Sequence, residues 1–505
     1  MKYISTRGNY EKVESMEAIK LGMVPEGGLF VPEVIPEFTP EEIESMEEKK
    51  YQEIAYMVLN KYLTDYEGDV LQKLIAKAYN QDNFPVENIT PIKKLENNFY
   101  ILELWHGPTA AFKDMALQLM PLLLIKAVEK SEIDKDIVIL VATSGDTGTA
   151  ALEGFKNIEG IKIIVFYPYE GVSRVQEAQM TSVKADNTEV VGVKGNFDDC
   201  QDAVKKVFGD KEFNRIMEKA GYQFSSANSI NWGRLVPQII YYFAAYAQLV
   251  RKNEIRSGQK INITVPTGNF GNILSGYYAY RMGLPVNKFI CASNENNILT
   301  DFINTGVYNI NREFQKTISP SMDILISSNL ERFLFEITDH NSEKIKNWYN
   351  QLKNNGKFVI DDKYKKIIQK LFAGEYSDEA ETRETIKNIF EKYDYTVDPH
   401  TAVGIKANEK YLNNNDDIFP VIIDSTASPY KFNKAVVEAI KGVGALSKGE
   451  ELQLLDKLKQ LSKTKIHRSL KNINKQEVEP ARICYESEIA KEIKNILEIN
   501  NKLGG

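Results

Sequence analysis

The middle of the chain alternates between short apolar runs and longer amphipathic stretches. The apolar runs are rich in β-branched residues and predict strands buried on both faces, at Asp136–Ala142, Ile161–Tyr167, Asn187–Val193, Ile261–Val265, Lys288–Ser293 and Phe419–Ile423. Between them, helical periodicity predicts helices at Ala150–Phe155, Asp198–Phe208, Gly233–Arg251 and Ile273–Met282. Such alternation is typical of α/β proteins with parallel sheets, whose ligands bind at the carboxyl ends of strands.

Helical patterns dominate both ends of the chain and one internal segment. Residues 1–85 predict a small N-terminal domain with helices at Ser15–Leu21, Glu41–Lys50 and Tyr51–Tyr62. Residues 86–440 predict the main α/β region. It contains a charged helical insertion at about 340–395, with helices at Glu343–Leu352, Tyr364–Phe372 and Glu379–Tyr393. Residues 441–505 predict a helical tail with amphipathic helices at Lys448–Leu461 and Ser487–Leu497.

Composition and charge narrow the class of protein. With 505 residues the chain is too long for one compact core, so we expect several domains. A hydrophobic fraction of 43% and a charged fraction of 26% are typical of globular proteins. The net charge of -7 argues against a general role on nucleic acids or membrane surfaces. The 3 cysteines and 4 histidines are too scattered for a disulfide framework or a metal site, and we expect a cytoplasmic protein.

One lysine stands where a loop turns into a predicted buried helix. The stretch from Leu102 to Met115 reads LELWHGPTAAFKDM, and apolar periodicity begins directly after Lys113. Such a lysine loses solvation of its charged form, which lowers its pKa toward that of a usable nucleophile or base. Taken alone, the pattern also suits a lysine whose charged end reaches solvent from a helix start.

Three loops follow predicted strands, and each offers groups that bind a ligand. Residues 267–272, TGNFGN, predict a phosphate cradle of backbone N–H groups, without the lysine of a Walker loop or a G-x-G-x-x-G motif. Residues 143–149, TSGDTGT, offer hydroxyls and amides for a carboxylate or a ring oxygen. Residues 424–429, DSTASP, place hydroxyls at a strand end, where they can bond to a ring nitrogen. Each loop alone is also compatible with a structural turn.

Taken together, the lysine and the three loops indicate one cofactor. Pyridoxal 5′-phosphate carries an aldehyde, a phosphate and a pyridine ring, and it would use all four features. We therefore expect this cofactor to be held by Lys113 as a Schiff base.

Many stretches of the chain resemble the threonine synthase family, in collinear order from Tyr3 to about Phe432. They are YISTRG, PEGGLFVPE, LELWHGPTAAFKDMALQ, VATSGDTGTAAL, SSANSINWGRLVPQ, VPTGNFGNILSGYYA, SNENNILTDF, SPSMDILISSNLERFLF, DPHTAVG and DSTASPYKF. The rest of the tail carries no motif that matches. The resemblance implies the tryptophan-synthase-β-like fold of PLP-dependent enzymes, fold type II. In this fold two α/β domains with parallel-rich sheets close over the cofactor, here with a small helical N-terminal domain.

The resemblance also implies roles for individual residues. Lys113 would be the catalytic Schiff-base lysine. The loop at 268–272 would bind the cofactor phosphate through its amides and its asparagine side chains, and the full set of cofactor contacts would be Lys113, Gly268, Asn269, Phe270, Gly271, Asn272, Thr426 and Asp146. Thr426, rather than Ser425, would face the pyridine nitrogen. Asp146 stands where related PLP enzymes carry an asparagine that meets the ring 3′-oxygen. The substrate contacts would be Ser144, Gly145, Thr147, Asn228, Ser229, Asn231 and the phosphate anchor Arg234.

The activity implied by the resemblance is the last step of threonine biosynthesis. O-phospho-L-homoserine and water would give L-threonine and phosphate by γ-elimination and β-addition. A related PLP phospho-lyase or serine/threonine dehydratase giving 2-oxobutyrate stays open as an alternative, as does a non-catalytic phospho-ligand sensor on the same fold. We expect a small-molecule substrate, no nucleic acid, no membrane and no metal, and either a monomer or a homodimer.

Overall fold

The computed structural model describes residues 1–131, 135–442, 452–473 and 482–499. Its strands are β1 Tyr3–Ser5, β2 Phe30–Pro32, β3 Ile92–Glu96, β4 Phe99–Glu103, β5 Asp136–Ala142, β6 Ile161–Pro168, β7 Thr188–Lys194, β8 Tyr222–Ser226, β9 Ile261–Pro266, β10 Val286–Ser293, β11 Val307–Asn309, β12 Lys357–Val359, β13 Phe372–Tyr376, β14 Val421–Ser425 and β15 Arg482–Tyr485.

The helices that the structure describes are α1 Ser15–Leu21, α2 Pro40–Ser45, α3 Tyr51–Tyr62, α4 Gly68–Ala78, α5 Asp114–Leu117, α6 Met120–Lys130, α7 Asp146–Phe155, α8 Arg174–Ser182, α9 Phe197–Gly209, α10 Lys211–Lys219, α11 Trp232–Arg251, α12 Gly271–Arg281, α13 Ile298–Thr305, α14 Leu330–Ile337, α15 Ser342–Asn355, α16 Asp362–Leu371, α17 Glu379–Tyr393, α18 Pro399–Asn414, α19 Asn433–Lys441, α20 Leu454–Ser462 and α21 Ile489–Ile496. None of them is long and apolar enough to cross a membrane.

The larger sheet has 6 strands in the order β13-β10-β9-β14-β4-β3. Neighbouring strands are parallel, except that β3 pairs antiparallel with β4. Every residue of β9 is buried, since α11 and α12 belong to the core on one side and α18 packs against the strand on the other. This burial on both faces explains the nearly continuous apolar run that marks β9 in the sequence.

The second sheet has 5 strands in the order β15-β7-β6-β5-β8, and all its pairings are parallel. Its central strands β5 and β6 are almost wholly buried. Since the strands are parallel, the loop after β5 emerges at the carboxyl edge of the sheet, where α/β proteins bind their ligands.

The N-terminal segment is tied to the main region by a buried acid of α14. The carboxylate of Glu331 accepts a hydrogen bond from the Thr6 hydroxyl at 2.6 Å. It also accepts two from the Arg7 guanidinium, at 3.0 and 2.8 Å. A two-pronged arginine–carboxylate contact fixes orientation as well as distance, so the first strand and its loop are held against the larger sheet's helices.

Several predicted elements differ from the structure at their ends. Helices α7 and α12 begin at Asp146 and Gly271, earlier than predicted, because Gly145 and Phe270 adopt positive φ and end the preceding loops. The predicted helix ending at Phe372 stops at Leu371, and Phe372 begins strand β13. Strand β13 is an edge strand that pairs with β10, far away in the sequence, and helical periodicity gives no sign of such a partner.

The tail contributes to the second sheet. Residues 482–485 form β15, which pairs with β7 and was not predicted. Of the predicted helix Lys448–Leu461, residues 448–451 lie outside the described residues, and α20 begins at Leu454. The domain boundaries at about 85 and 440 stay a prediction.

Candidate active site

A cavity of about 640 Å³ gathers the loops that follow β5, β9 and β14, the segment before α5 and part of the N-terminal segment. Most of the predicted site residues line it: Lys113, Ser144, Asp146, Thr147, Asn228, Ser229, Arg234, Gly268, Asn269, Phe270, Gly271, Asn272 and Thr426. The volume falls in the usual range of small-molecule sites.

Two predicted substrate contacts have backbone roles. Asn231 caps the start of α11, and its amide donates to the carbonyls of Ile19 and Ser226, both at 2.9 Å. Gly145 directly precedes α7 with a φ of 125°, and its N–H donates to the Thr143 hydroxyl at 2.9 Å. These groups are thus satisfied within the protein, and the contact of either residue with a substrate stays a prediction.

Lys113 is placed by pairing between its own loop and the end of β14. Ala111 forms an isolated bridge with Ala427, and the Phe112 N–H donates to the Thr426 carbonyl at 2.8 Å. The Lys113 side chain is 11% exposed at the start of α5. The amine is therefore presented to the cavity from a fixed backbone.

The loop before Lys113 is held by a buried acid. The Asp114 carboxylate accepts hydrogen bonds from the N–H of Thr109 at 2.8 Å and from its hydroxyl at 2.7 Å. A Cβ added to Gly107 would lie 2.4 Å from that of Asp114, so this turn requires glycine. Burial raises the pKa of Asp114 to about 6.

A charged cluster surrounds the Lys113 amine, with Asp146 at its centre. Lys113 Nζ lies 3.3 Å from Asp146 Oδ2 and 3.4 Å from Ser321 Oγ, which itself donates to Oδ2 at 3.1 Å. The other oxygen, Oδ1, pairs with Lys431 Nζ at 2.8 Å and accepts from Gln176 Nε2 at 3.0 Å. One carboxylate thus binds two lysines through different oxygens.

This cluster shifts the pKa values of its members. Burial lowers the pKa of the Lys113 amine from its usual value, against the attraction of Asp146 and with the repulsion of Lys431. Burial by itself would raise the pKa of Asp146, but the charges of Lys431 and Lys113 hold it well below its usual value. Asp146 is consequently an anion at neutral pH, while proton loss from Lys113 is made easier.

The loop at 267–272 forms a neutral cradle on the opposite sheet. Phe270 adopts a left-handed conformation with a φ of 59°, and α12 begins at the next residue. The first N–H groups of a helix have no acceptor within it and attract anions. A Cβ added to Gly268 would lie 2.8 Å from the Ser321 carbonyl oxygen, so the cradle is too narrow for any other residue there.

The side chain of Asn272 is engaged below the cradle. Its Oδ1 accepts from the hydroxyls of Tyr241 and Tyr242, and its Nδ2 donates to Asp424 Oδ2 at 3.0 Å. The Tyr242 hydroxyl also donates to Asp424 Oδ2, at 2.9 Å. Burial raises the pKa of Asp424 to about 7. In this structure the Asn272 amide is engaged by the protein itself, and the phosphate contact through this side chain stays a prediction.

Ser425 and Thr426, at the end of β14, have different surroundings. The Ser425 hydroxyl accepts from Trp105 Nε1 and from the Thr401 hydroxyl, both at 3.1 Å. Thr426 lines the cavity. The arrangement supports Thr426, and not Ser425, as the residue that meets a ring nitrogen.

Arg234 carries a buried donor that has no partner. Its Nη1 donates to the Ala227 carbonyl, while Nε has no hydrogen-bond acceptor within the described part of the chain. Burial lowers the pKa of this guanidinium to about 10. Arg234 lines the cavity beside Asn228 and Ser229, and a guanidinium there suits an incoming anion.

Several residues at the site had no role in the sequence analysis. Ser321 and Lys431 meet Asp146, and His400 Nε2 accepts from the Ser321 N–H at 3.2 Å. All three lie in stretches quoted for the family resemblance, which could have drawn attention to them. Gln176 lies in α8, which was not predicted, and no sequence signal marks it.

Models of known protein families match most of the chain. The family model described as "Threonine synthase N terminus" matches residues 2–79, "Pyridoxal-phosphate dependent enzyme" matches 81–419, and "Threonine synthase, C-terminal" matches 401–480. The last of these extends the family match well beyond Phe432, where the sequence motifs ended. Threonine synthase of Saccharomyces cerevisiae is 38% identical over 517 residues, covering 97% of this chain and 98% of that protein.

Solved structures agree with this result. The PLP-bound threonine synthase from Brucella melitensis has a TM-score of 0.84 and 34% identity, covering 99% of both chains. The threonine synthase from yeast has a TM-score of 0.86 and 34% identity, covering 100% of this chain and 99% of that one. The predicted fold, enzyme class and cofactor are confirmed. On matches of this extent, the chain belongs to the threonine synthase family of pyridoxal-phosphate-dependent enzymes.

Proposed function

We propose that this chain converts O-phospho-L-homoserine and water into L-threonine and phosphate. The observation that carries the proposal is a pair of anion sites in one cavity with Lys113. One is the neutral cradle at 268–272, and the other is the guanidinium group of Arg234 on the cavity wall. A phosphorylated cofactor and a phosphorylated substrate would together require both.

The residues on the cavity wall fit pyridoxal phosphate. Lys113 would hold the aldehyde carbon, and the amides at the start of α12 would hold the phosphate. Thr426 would face the ring nitrogen and Asp146 the ring oxygen. Bound there, the cofactor supplies an electron sink for the carbon beside the substrate amino group.

The remaining residues would orient the substrate. Arg234, with Asn228 and Ser229 beside it, would bind the substrate phosphate, because a planar guanidinium matches the geometry of its oxygens. Ser144 and Thr147 would donate to the carboxylate near the positive end of α7. A substrate held at both ends places its α-carbon at a fixed position in the cavity.

Lys113 would move the proton at the α-carbon. Its amine is buried and its pKa is lowered from the usual value, which suits a base working near neutral pH. The nearby Ser321 hydroxyl and the Asp146 carboxylate fix the direction in which the amine points.

A product assay tests the proposal. The purified chain with pyridoxal phosphate is given O-phospho-L-homoserine, and phosphate and the organic product are measured together. We expect equal amounts of phosphate and L-threonine. Phosphate with 2-oxobutyrate would replace the proposal by a phospho-lyase, and no phosphate release would contradict the choice of substrate. A Lys113→Ala variant supplies the background rate.

A further inference from the structure

Lys431 is a fully buried lysine on a short turn after β14. Its side chain is 0% exposed, and Nζ lies 2.8 Å from Asp146 Oδ1. It also donates to the Thr109 carbonyl at 3.1 Å, in the loop that leads to Lys113. A buried ammonium group is costly unless a charge of opposite sign accompanies it. Asp146 is that charge.

Asp146 lies between two lysines, of which Lys113 is the proposed cofactor lysine and Lys431 is not. Its Oδ2 faces Lys113 at 3.3 Å, and its Oδ1 faces Lys431 at 2.8 Å. Lys113 has to lose its proton before its amine can bond to an aldehyde. If Lys113 were the only cation near Asp146, this step would leave a buried carboxylate without a counter-ion.

We propose that Lys431 is a positioning residue that balances the charge of Asp146, so that Lys113 can give up its proton and hold the cofactor. The inference rests on the proposed function, because it takes Lys113 as the cofactor lysine. Lys431 itself touches neither cofactor nor substrate in this scheme. It acts through Asp146.

The charged groups around Lys113 support these different roles of the two lysines. Besides Asp146 and Lys431, the charged group that acts on the amine is Arg234, from α11. The neutral partner is the Ser321 hydroxyl, and His400 accepts from the N–H of the same serine. Both Lys431 and Arg234 lower the pKa of Lys113, and Asp146 raises it. Without Lys431 the attraction of Asp146 would be less opposed, and Lys113 would keep its proton to higher pH.

Cofactor capture at different pH values measures this effect without an activity assay. Cofactor-free full-length protein is mixed with pyridoxal phosphate at a series of pH values. The neutral Lys113 amine adds to the aldehyde, water leaves, and borohydride then supplies hydride to the C=N bond. The modified Lys113 peptide is quantified by mass spectrometry, and the pH of half-maximal capture is compared between variants.

We expect Lys431→Met to raise the pH midpoint of capture by about one unit, while capture at high pH stays complete. Lys434→Met, which removes an exposed lysine nearby, is the matched control and should leave the midpoint unchanged. A merely structural role for Lys431 would lower the yield at every pH without moving the midpoint, and that result would overturn the inference.

The double variant Lys431→Met with Asp146→Asn guards against a Lys431→Met protein that does not fold. It removes both members of the buried pair, so we expect it to fold, and we expect its capture midpoint not to be raised, because the attraction of Asp146 that keeps the proton on Lys113 is gone. A double variant whose midpoint is raised by a unit or more contradicts the inference. If the unmodified protein captures no cofactor at Lys113, the proposed function fails first, and the two failures are thereby told apart.

Discussion

The loop after β5 and the loop after β9 look alike in the sequence but differ in their electrostatics. Both follow buried parallel strands, both contain two glycines, and both open a helix. The first, at 143–149, begins its helix with Asp146, whose carboxylate pairs with two lysines. The second, at 267–272, has no charged residue of its own, and its Asn272 side chain contacts Tyr241, Tyr242 and Asp424.

The difference shows how one cavity serves two kinds of group. The neutral loop leaves backbone N–H groups to an anion, and a charged neighbour there would compete with the phosphate. The charged loop instead sets the proton affinity of the Lys113 amine. The charged loop supplies Asp146 itself, but the lysines that pair with it, Lys113 and Lys431, come from other parts of the chain.

The largest effect on activity is expected from replacing Lys113, whose amine faces the charged loop. Lys113→Ala should lower kcat/KM by at least about a thousandfold, because it removes both the group that holds the cofactor and the base. Folding should be preserved, since Asp146 keeps Lys431 as its counter-ion. Steady-state kinetics with a thermal melt check this. Retention of more than about a thousandth of the activity would remove Lys113 from the chemistry.

Asp146→Asn should break the charged loop and cost about 3–5 kcal/mol of stability at pH 7, because it leaves Lys431 buried without a counter-ion. The carboxylate has a lowered pKa, so its contribution is present above the unfolded-state pKa of about 4 and is lost as the pH falls through the lower folded-state value. Urea unfolding at pH 7 and at pH 3 measures both.

The control for this change is Asp69→Asn, an exposed carboxylate whose partner Lys73 lies one helical turn away. Exposed pairs of this kind contribute little, so its stability should hardly change. Equal stability of Asp146→Asn and the unmodified protein at pH 7 would show that the buried pair of Asp146 and Lys431 does not contribute to stability.

Gly268→Ala should narrow the neutral loop, where the cofactor phosphate is proposed to bind. Its Cβ would lie 2.8 Å from the Ser321 carbonyl oxygen, and overpacking of this kind weakens binding by about tenfold or more. Titration of the cofactor-free protein with pyridoxal phosphate measures the affinity. Gly209→Ala is the matched control, because its Cβ would meet nothing within 4 Å. Equal affinities for both variants would mean that the cradle is not the phosphate site.

Asp424→Asn should show its effect in the pH dependence of stability. The pKa of Asp424 is raised to about 7, so the folded state keeps a proton that the unfolded state releases above about pH 4. The unmodified protein should therefore lose about 3 kcal/mol more than the variant as the pH rises from 4.5 to 7.5. Urea unfolding at both pH values tests this, and parallel changes in the two proteins would contradict it.

The sequence predicted the buried parts of this fold well and the edges poorly. Strands such as β5 and β9 are continuous apolar runs because both faces are covered. Strands β13 and β15 lie at sheet edges and contain polar residues, and their partners are distant in the chain. Nothing in a local pattern identifies such a partner.

Prediction of the site was limited in the same way, since contacts between distant parts of the chain leave no local pattern. Lys113, Thr426 and the 268–272 loop were located by their place at strand ends and by the family resemblance. Asn231 was predicted as a substrate contact, and the structure shows that it is also the N-cap of α11, as an asparagine directly before a helix suits. The contact between Lys431 and Asp146 could not be predicted, because it joins two loops from opposite sheets.

The central claim is that phosphate leaves from carbon and that water then enters the product. The most direct test is turnover of O-phospho-L-homoserine in ¹⁸O-labelled water, with both products analysed by mass spectrometry. We predict one labelled oxygen in the hydroxyl of L-threonine and none in the released phosphate. Labelled phosphate accompanied by homoserine would contradict the account, because it would mean cleavage of the phosphorus–oxygen bond by simple hydrolysis.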